Sequence, residues 1–283
     1  MARVAIVTDS AADLVPEVAA AAGITVVPLS VTFGSEAFRA GVDLSTEAFW
    51  ERMLAPSAPF PTTAASSPGD FRDTYERCFA EGADAVVCIT VSGKLSGTLK
   101  SATIARGMVP DREIHVIDSH TASMGHGLLA LFATELAAEG RDAEAIAAAV
   151  EARIADIDLF VAVDSLEYLR RGGRLSASQA AIGSLLSVKP IITVRDGLVE
   201  SLERVRTRSR ARERVLELLT ERPAEQVAIL YPPGADYDTF RDDLIARMTG
   251  GITPEHVSVE LVGASVGPHL GPGCLGGVVL LRR

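Results

Sequence analysis

Short β-rich runs alternate with helical patterns through the first half of this chain, and that alternation restricts the fold more than any other feature. Strands are expected at residues 4–8, 24–31, 85–90 and 114–118. Helical patterns follow them at 13–22, 46–55 and 98–106, with a long Ala/Leu/Glu helix at 123–139. Strands separated by helices need crossover connections, and these build a parallel sheet. Gly23 and Gly82 come after helical runs, where a left-handed cap costs glycine little. Ser67-Pro68-Gly69-Asp70 reads as a helix start, with Ser67 capping, Pro68 at the first position and Asp70 near the positive end of the dipole.

After Asp158 the pattern changes. A strand at 159–163 and a helix at 167–170 lead to Gly172-Gly173, then to a helix of roughly two turns at 177–185. The runs at 190–194 and 198–205 flank Arg195-Asp196-Gly197 and read as a β-hairpin, because Asp-Gly supplies the positive φ angles of a tight turn. Helices at 209–219 and 238–248 alternate with strands at 227–231 and 257–262, and the last strand covers 278–281. A hairpin within such alternation indicates a mixed sheet. At 283 residues the chain exceeds one typical domain, so two are expected. The reading is an α/β protein with an N-terminal parallel α/β domain (1–157) and a C-terminal α+β domain with a mixed sheet (158–283).

Acidic side chains outnumber basic ones by 37 to 27, a net charge of −10 that opposes association with nucleic acid. Met1-Ala2-Arg3 runs directly into a strand broken by Asp9, which does not fit a signal peptide. No uninterrupted apolar run reaches the length of a membrane span. Cys78, Cys88 and Cys274 are too few and too widely spaced for a disulfide framework or a zinc knuckle. A cytoplasmic protein without stable membrane insertion is expected.

Three hydroxyl- and glycine-rich clusters sit where apolar segments break: Pro61-Thr62-Thr63, Leu95-Ser96-Gly97-Thr98 and His269-Leu270-Gly271-Pro272-Gly273. Together they offer neutral hydrogen-bond donors around one imidazole, which suits holding a small anionic head group. Thr62 and Thr63 lie in a proline-punctuated loop that resists becoming helix or central strand. Ser96 stands at a helix N-terminus, where free amides favour a carboxylate or phosphate, although capping alone also explains it.

Other motifs carry less. Gly263-Ala264-Ser265-Val266-Gly267 has the G-x-S-x-G form of a hydrolase elbow, but Pro268 and Gly271-Pro272-Gly273 argue against the helix an elbow needs, and the expected acid is absent. A small-molecule hydrolase using Ser265 or Ser96 is the alternative function. Gly125-His126-Gly127-Leu128-Leu129-Ala130 fits a dinucleotide fingerprint, yet tight helix packing explains its glycines equally well, and His126 is expected in a surface turn. No histidine pair has metal-ligand spacing, so neither metal nor cofactor is expected. Six arginines alternate from Arg204 to Arg214. An extended start would place Arg204, Arg206 and Arg208 on one face as a basic patch for an acidic partner, while pairing to nearby glutamates explains the run as well.

In order along nearly the whole chain, Thr8-Asp9-Ser10-Ala11-Ala12-Asp13-Leu14, Pro61-Thr62-Thr63 with Ser67-Pro68, Leu95-Ser96-Gly97-Thr98, Val116-Ile117-Asp118-Ser119, Tyr168 to Arg174, Lys189-Pro190-Ile191 and His269 to Gly273 resemble the signatures of the DegV family of bacterial fatty-acid-binding proteins. The resemblance implies a two-domain, non-catalytic protein that buries a long-chain, palmitate-like fatty acid in a ligand site between its domains. It also implies presentation of the carboxylate to a separate fatty acid kinase, in phospholipid metabolism. On that resemblance Thr63 and Ser96 hold the carboxyl group and His269 joins their network. Thr62, Gly97, Thr98, Gly271 and Gly273 shape the loops, and Arg174 contacts the partner. Ala64-Ala65 departs from the Ser-Gln common in the family.

Overall fold

The computed structural model describes residues 3–175, 188–249 and 251–283. The helix expected at 177–185 lies outside the described residues. The first half forms β1 (Val4–Asp9), α1 (Pro16–Ala21), β2 (Ile24–Val27), β3 (Ser30–Phe33), β4 (Glu36–Arg39), α2 (Thr46–Leu54), β5 (Thr62–Ala64), α3 (Pro68–Ala80), β6 (Ala85–Thr90), α4 (Thr98–Met108), β7 (Glu113–Asp118), α5 (Met124–Ala138) and α6 (Ala143–Arg153). Strands β2-β1-β6-β7 make a four-stranded, all-parallel sheet. Helices cover both of its faces, with α5 and α6 on one and α3 and α4 on the other. A strand buried on two sides needs no polar face, and every residue of β6 is buried.

The run expected as one strand at 24–31 is broken at Pro28, which lacks the N–H that a continuous ladder requires. Its second part, β3, leaves the parallel sheet and pairs antiparallel with β4 and β5. Thr62 and Thr63 therefore lie on an edge strand, with Thr63 opposite Val31. The helix start at Ser67 is a full capping box, in which Ser67 Oγ accepts from Asp70 N and the Asp70 carboxylate accepts from Ser67 N.

The second half contributes β8 (Ile157–Ala162), α7 (Glu167–Arg171), β9 (Lys189–Arg195), β10 (Leu198–Val205), β11 (Ala224–Tyr231), β12 (Val257–Leu261) and β13 (Leu275–Leu281). They form one mixed sheet in the order β10-β9-β8-β13-β11-β12. Asp196 and Gly197, at φ 48° and 77°, make the expected hairpin turn between β9 and β10. Helices Arg208–Thr220 and Tyr237–Arg247 cover one face of this sheet. Its other face meets α2 and α5 of the first half, in a shared core that contains Phe49, Trp50, Met124, Leu159, Val161 and Leu230. Trp50 Nε1 donates to Val262 O at 2.7 Å, tying α2 to the end of β12.

No helix among the described residues is long and apolar enough to cross a membrane.

Strand β13 lies inside the mixed sheet, and its Gly276 permits close approach to β8. A Cβ there would stand 2.2 Å from Phe160 O and 2.6 Å from the Val161 Cα, both backbone atoms that cannot swing aside. Gly276→Ala should lower unfolding stability by about 1–3 kcal/mol, as overpacking does, measured by urea titration with circular dichroism. An unchanged midpoint would show that β8 and β13 can separate freely.

Candidate functional site

Strand order in the parallel sheet changes direction between β1 and β6, because β1 continues outward to β2 and β6 to β7. Ligands of open α/β sheets lie beyond the carboxyl ends of the strands at such a switch point. The loops leaving β1, β6 and β7 supply Ala11, then Val91, Leu95 and Ser96, then Ala122 and Ser123, to one slot. The opposite wall comes from the mixed sheet, through Leu159, Val161, Ile192, Val199 and Leu230. Atom-free space in the slot amounts to about 730 Å³, the solvent at its opening included. Its walls are hydrocarbon over most of their extent.

Two buried carboxyls hold these loops. Asp9, at the end of β1, accepts from Ala11 N and from Val91 N, both at 2.9 Å, and so ties the β1 and β6 loops together. Asp13 accepts from Ser123 Oγ at 2.5 Å and from Gly263 N at 2.9 Å. Burial pushes the Asp13 carboxyl up to about 7. The hairpin turn also reaches across, where Ser92 Oγ donates to Gly197 O at 2.8 Å.

Polar groups gather at one part of the slot. Thr63, Ser96, His269 and Arg174 all line it. Thr63 Oγ1 and His269 Nε2 are 3.0 Å apart. Among the described residues His269 Nδ1 has no partner, and it abuts Gly172, where a Cβ would stand 2.2 Å away. Burial, with a smaller contribution from the Arg174 charge, lowers the imidazole to about 4, so the ring is neutral at pH 7. A lone buried acceptor is tolerated better than a lone buried donor, which places the ring proton on Nε2. Thr63 then receives that proton's hydrogen bond and keeps its own hydroxyl hydrogen to give to a ligand. Ser96 Oγ lies 2.8 Å from Thr98 Oγ1 and accepts from Thr98 N at 3.3 Å.

The other residues expected at the site are placed differently. Thr62 is exposed, consistent with the alternation of β5. Gly97 caps α4, and neither it nor Thr98 lines the slot. Gly271 and Gly273 also stay outside it. Each instead makes room for a neighbour, since a Cβ would fall 2.5 Å from the Tyr168 ring and 2.0 Å from Asp164 Oδ2 respectively. Arg174, expected to contact a partner, is half-buried, with Nε donating to Leu95 O at 3.1 Å and Nη1 to Gly172 O. Among the described residues it is the one cation lining the slot.

The expected arginine face does not form. Strand β10 ends at Val205 and Arg208 opens the next helix, so Arg204, Arg206 and Arg208 do not share a sheet face. Arg208 pairs with Asp164, Arg212 with Asp243, and Arg214 with Glu203 and Glu217. Arg204 and Arg206 make no ion pair among the described residues.

His126 is fully buried in α5 instead of lying in a surface turn, with Nε2 3.5 Å from Asp9 Oδ1. The glycines beside it serve packing: a Cβ on Gly125 would meet Thr121 Oγ1 at 2.3 Å and one on Gly127 would meet Ala12 O at 2.9 Å. Pro268 does not prevent a helix, because proline fits the first turn of the four-residue helix Gly267–Leu270. Ser265 Oγ nevertheless pairs with Ser10 Oγ at 2.8 Å, and neither Ser265 nor Ser96 hydrogen-bonds an imidazole. Nucleophile activation by histidine requires that contact. No group of three or more His, Cys, Asp or Glu among the described residues is placed to hold a metal.

The lowered His269 value has a thermodynamic consequence. Below pH 6.5 the unfolded chain binds a proton at this position that the folded protein refuses until about pH 4. Stability from His269 is therefore complete above about 6.5 and lost as pH falls toward 4. The stability difference between the wild type and His269→Gln should shift by up to about 3 kcal/mol in the wild type's favour from pH 4 to pH 7, read from denaturant titrations at each pH. Asp13, raised in the folded state, gives the opposite slope between pH 3.8 and 7 in both proteins and cancels from the comparison. A difference independent of pH would mean that the imidazole is solvated.

Comparison with known proteins agrees with this architecture over the full chain. A family model described as an uncharacterised protein of the DegV family matches residues 3–282. A DegV domain-containing protein of Streptomyces coelicolor is 38% identical over 283 residues, covering 99% of each chain. A structure described as fatty acid binding of a DegV family protein from Thermus thermophilus superposes with a TM-score of 0.88 at 34% identity, covering 99% of this chain and 100% of that one. The crystal structure of DegV from Bacillus subtilis, described as a fatty acid binding protein, superposes with a TM-score of 0.86 at 32% identity and covers all of both chains. Residues 3–282 carry this likeness without interruption at a domain boundary, and the chain belongs to the DegV family.

Proposed function

We propose that this protein binds a long-chain, palmitate-like fatty acid in the slot and presents its carboxylate to a separate fatty acid kinase. The observation that carries the reading is a hydrocarbon slot that closes on one neutral hydrogen-bonding group, Thr63, Ser96 and His269, with one cation, Arg174, beside it. The likeness to the Thermus thermophilus and Bacillus subtilis proteins supports the ligand class. We take 1–157 and 158–283 as two domains, each supplying one wall.

The energetics fit a binding role. Burying an acyl tail contributes about 0.8 kcal/mol per methylene, or about 12 kcal/mol for about fifteen carbons before the costs of association. Affinity then comes from the tail, and the head group needs only enough hydrogen bonds to offset its desolvation. The Thr63 and Ser96 hydroxyls donate to the carboxylate. Arg174, already engaged by Leu95 O and Gly172 O, holds the two loops and adds positive potential. Phosphoryl transfer belongs to the kinase, for which Arg204 and Arg206, without an ion pair among the described residues, offer a docking charge.

Lipid extraction of the purified protein followed by mass spectrometry should recover stoichiometric fatty acid. A lipid-free protein that turns over ester substrates would favour the hydrolase instead. Because a hydrogen bond to a charged group contributes about 1.5–3 kcal/mol, Thr63→Val and Ser96→Ala should each weaken binding about tenfold to a hundredfold in titrations with a fluorescent fatty acid. Unchanged affinity in both would remove them from the head-group site. The double variant Arg204→Ala, Arg206→Ala should retain its lipid yet form acyl phosphate at least about tenfold more slowly with kinase and ATP, as expected for lost docking charge. Equal rates would move the docking surface elsewhere.

A further inference from the structure

The slot carries two hydroxyls that a plain hydrocarbon tail leaves unused. Ser123 and Ser265 line it among apolar neighbours and are 1% and 4% exposed. Neither belongs to the Thr63, Ser96 and His269 group. Ser123 Oγ gives its hydrogen to Asp13 Oδ2, and the other Asp13 oxygen holds Gly263 N, two residues before Ser265. Ser265 Oγ is anchored at 2.8 Å to Ser10 Oγ, which itself accepts from Leu29 N at 2.8 Å. Each hydroxyl thus makes one hydrogen bond among the described residues, and each retains acceptor capacity, since a serine oxygen has two lone pairs. Alanine would build the same wall for a saturated chain without burying an oxygen.

Resting on the fatty acid reading above, we propose that Ser123 and Ser265 form a second polar station in the slot, which recognises a hydroxyl group borne along the acyl chain. The ligand class then includes long-chain hydroxy fatty acids as well as plain ones. Both serine oxygens keep a lone pair to accept from a ligand O–H. Against the apolar walls the same ligand hydroxyl loses its water without gaining a partner.

Hexadecanoic acid and a series of its monohydroxy positional isomers would be competed against a fluorescent fatty acid on the protein. One or two neighbouring isomers should bind within about threefold of hexadecanoic acid, while the other isomers bind about tenfold or more weakly, the cost of burying an unpaired polar group. Ser123→Ala and Ser265→Ala should each lower the affinity of the matched isomer relative to hexadecanoic acid about tenfold. That ratio is taken within one variant, so a general loosening of the fold does not move it. The wild-type series alone decides the matter if either variant fails to fold. Tight hexadecanoic acid with every isomer equally weak would overturn the station, as would a matched isomer whose ratio both variants leave unmoved. Failure of hexadecanoic acid itself to bind would instead overturn the fatty acid reading, and the station with it.

Discussion

One buried carboxyl, that of Asp13, joins parts of the chain that lie 250 residues apart. It closes the short 3-10 turn after β1 with a left-handed backbone at φ 54°, holds Ser123 at the start of α5, and receives Gly263 N from beyond β12. Taking such a group out of water is expensive, and the upward shift of its carboxyl to about 7 measures that penalty. Two well-placed donors offset part of it. Asp9 acts likewise one turn earlier, accepting from the loops after β1 and β6. Asp9 thus holds two loops of the parallel sheet to each other, and Asp13 holds that sheet's loops to the segment after β12.

Between these anchors the slot is shaped by hydrocarbon and by missing Cβ atoms. Gly172 leaves space for the His269 ring, and that close fit keeps the imidazole dry, neutral and oriented toward Thr63. A neutral ring is useful here. An imidazolium would bind a carboxylate more strongly but would need its own desolvation cost met, and burial beside Arg174 opposes its charging. Arg174 remains charged at neutral pH, held by the two carbonyls that frame the polar end of the slot.

On the proposed reading, the same geometry favours binding over bond-breaking. A serine becomes nucleophilic when a base takes its proton, and the imidazole in the slot is turned to a threonine while the slot's serines bond to Ser10, Thr98 and Asp13. Hydroxyls held in this way are good at recognition. They discriminate between ligands through groups left paired or unpaired, an effect larger than any one methylene gives.

The parallel sheet, the hairpin at Asp196-Gly197 and the capping box at Ser67 were all legible in the sequence, because hydrophobic period, turn chemistry and caps act over a few neighbouring residues. Thr63, Ser96 and His269 stood out through the family resemblance of their motifs, and all three line the slot. Local reasoning failed where distant packing decides. His126 looks like a polar residue between two glycines, yet the glycines pack against Thr121 and Ala12 and carry the ring into the core. The alternating arginines look extended, yet a helix starts at Arg208 and acidic neighbours take up three of them. Nothing in the local sequence marks Gly172 and Gly271 as the positions that admit His269 and Tyr168. By itself the sequence determined which elements form and which residue types converge, since those follow from short-range pattern. Only the tertiary structure decided which way Arg174 points, that Asp13 bridges the two halves, and that Ser123 and Ser265 face the slot, because each depends on contacts between segments that no local period relates.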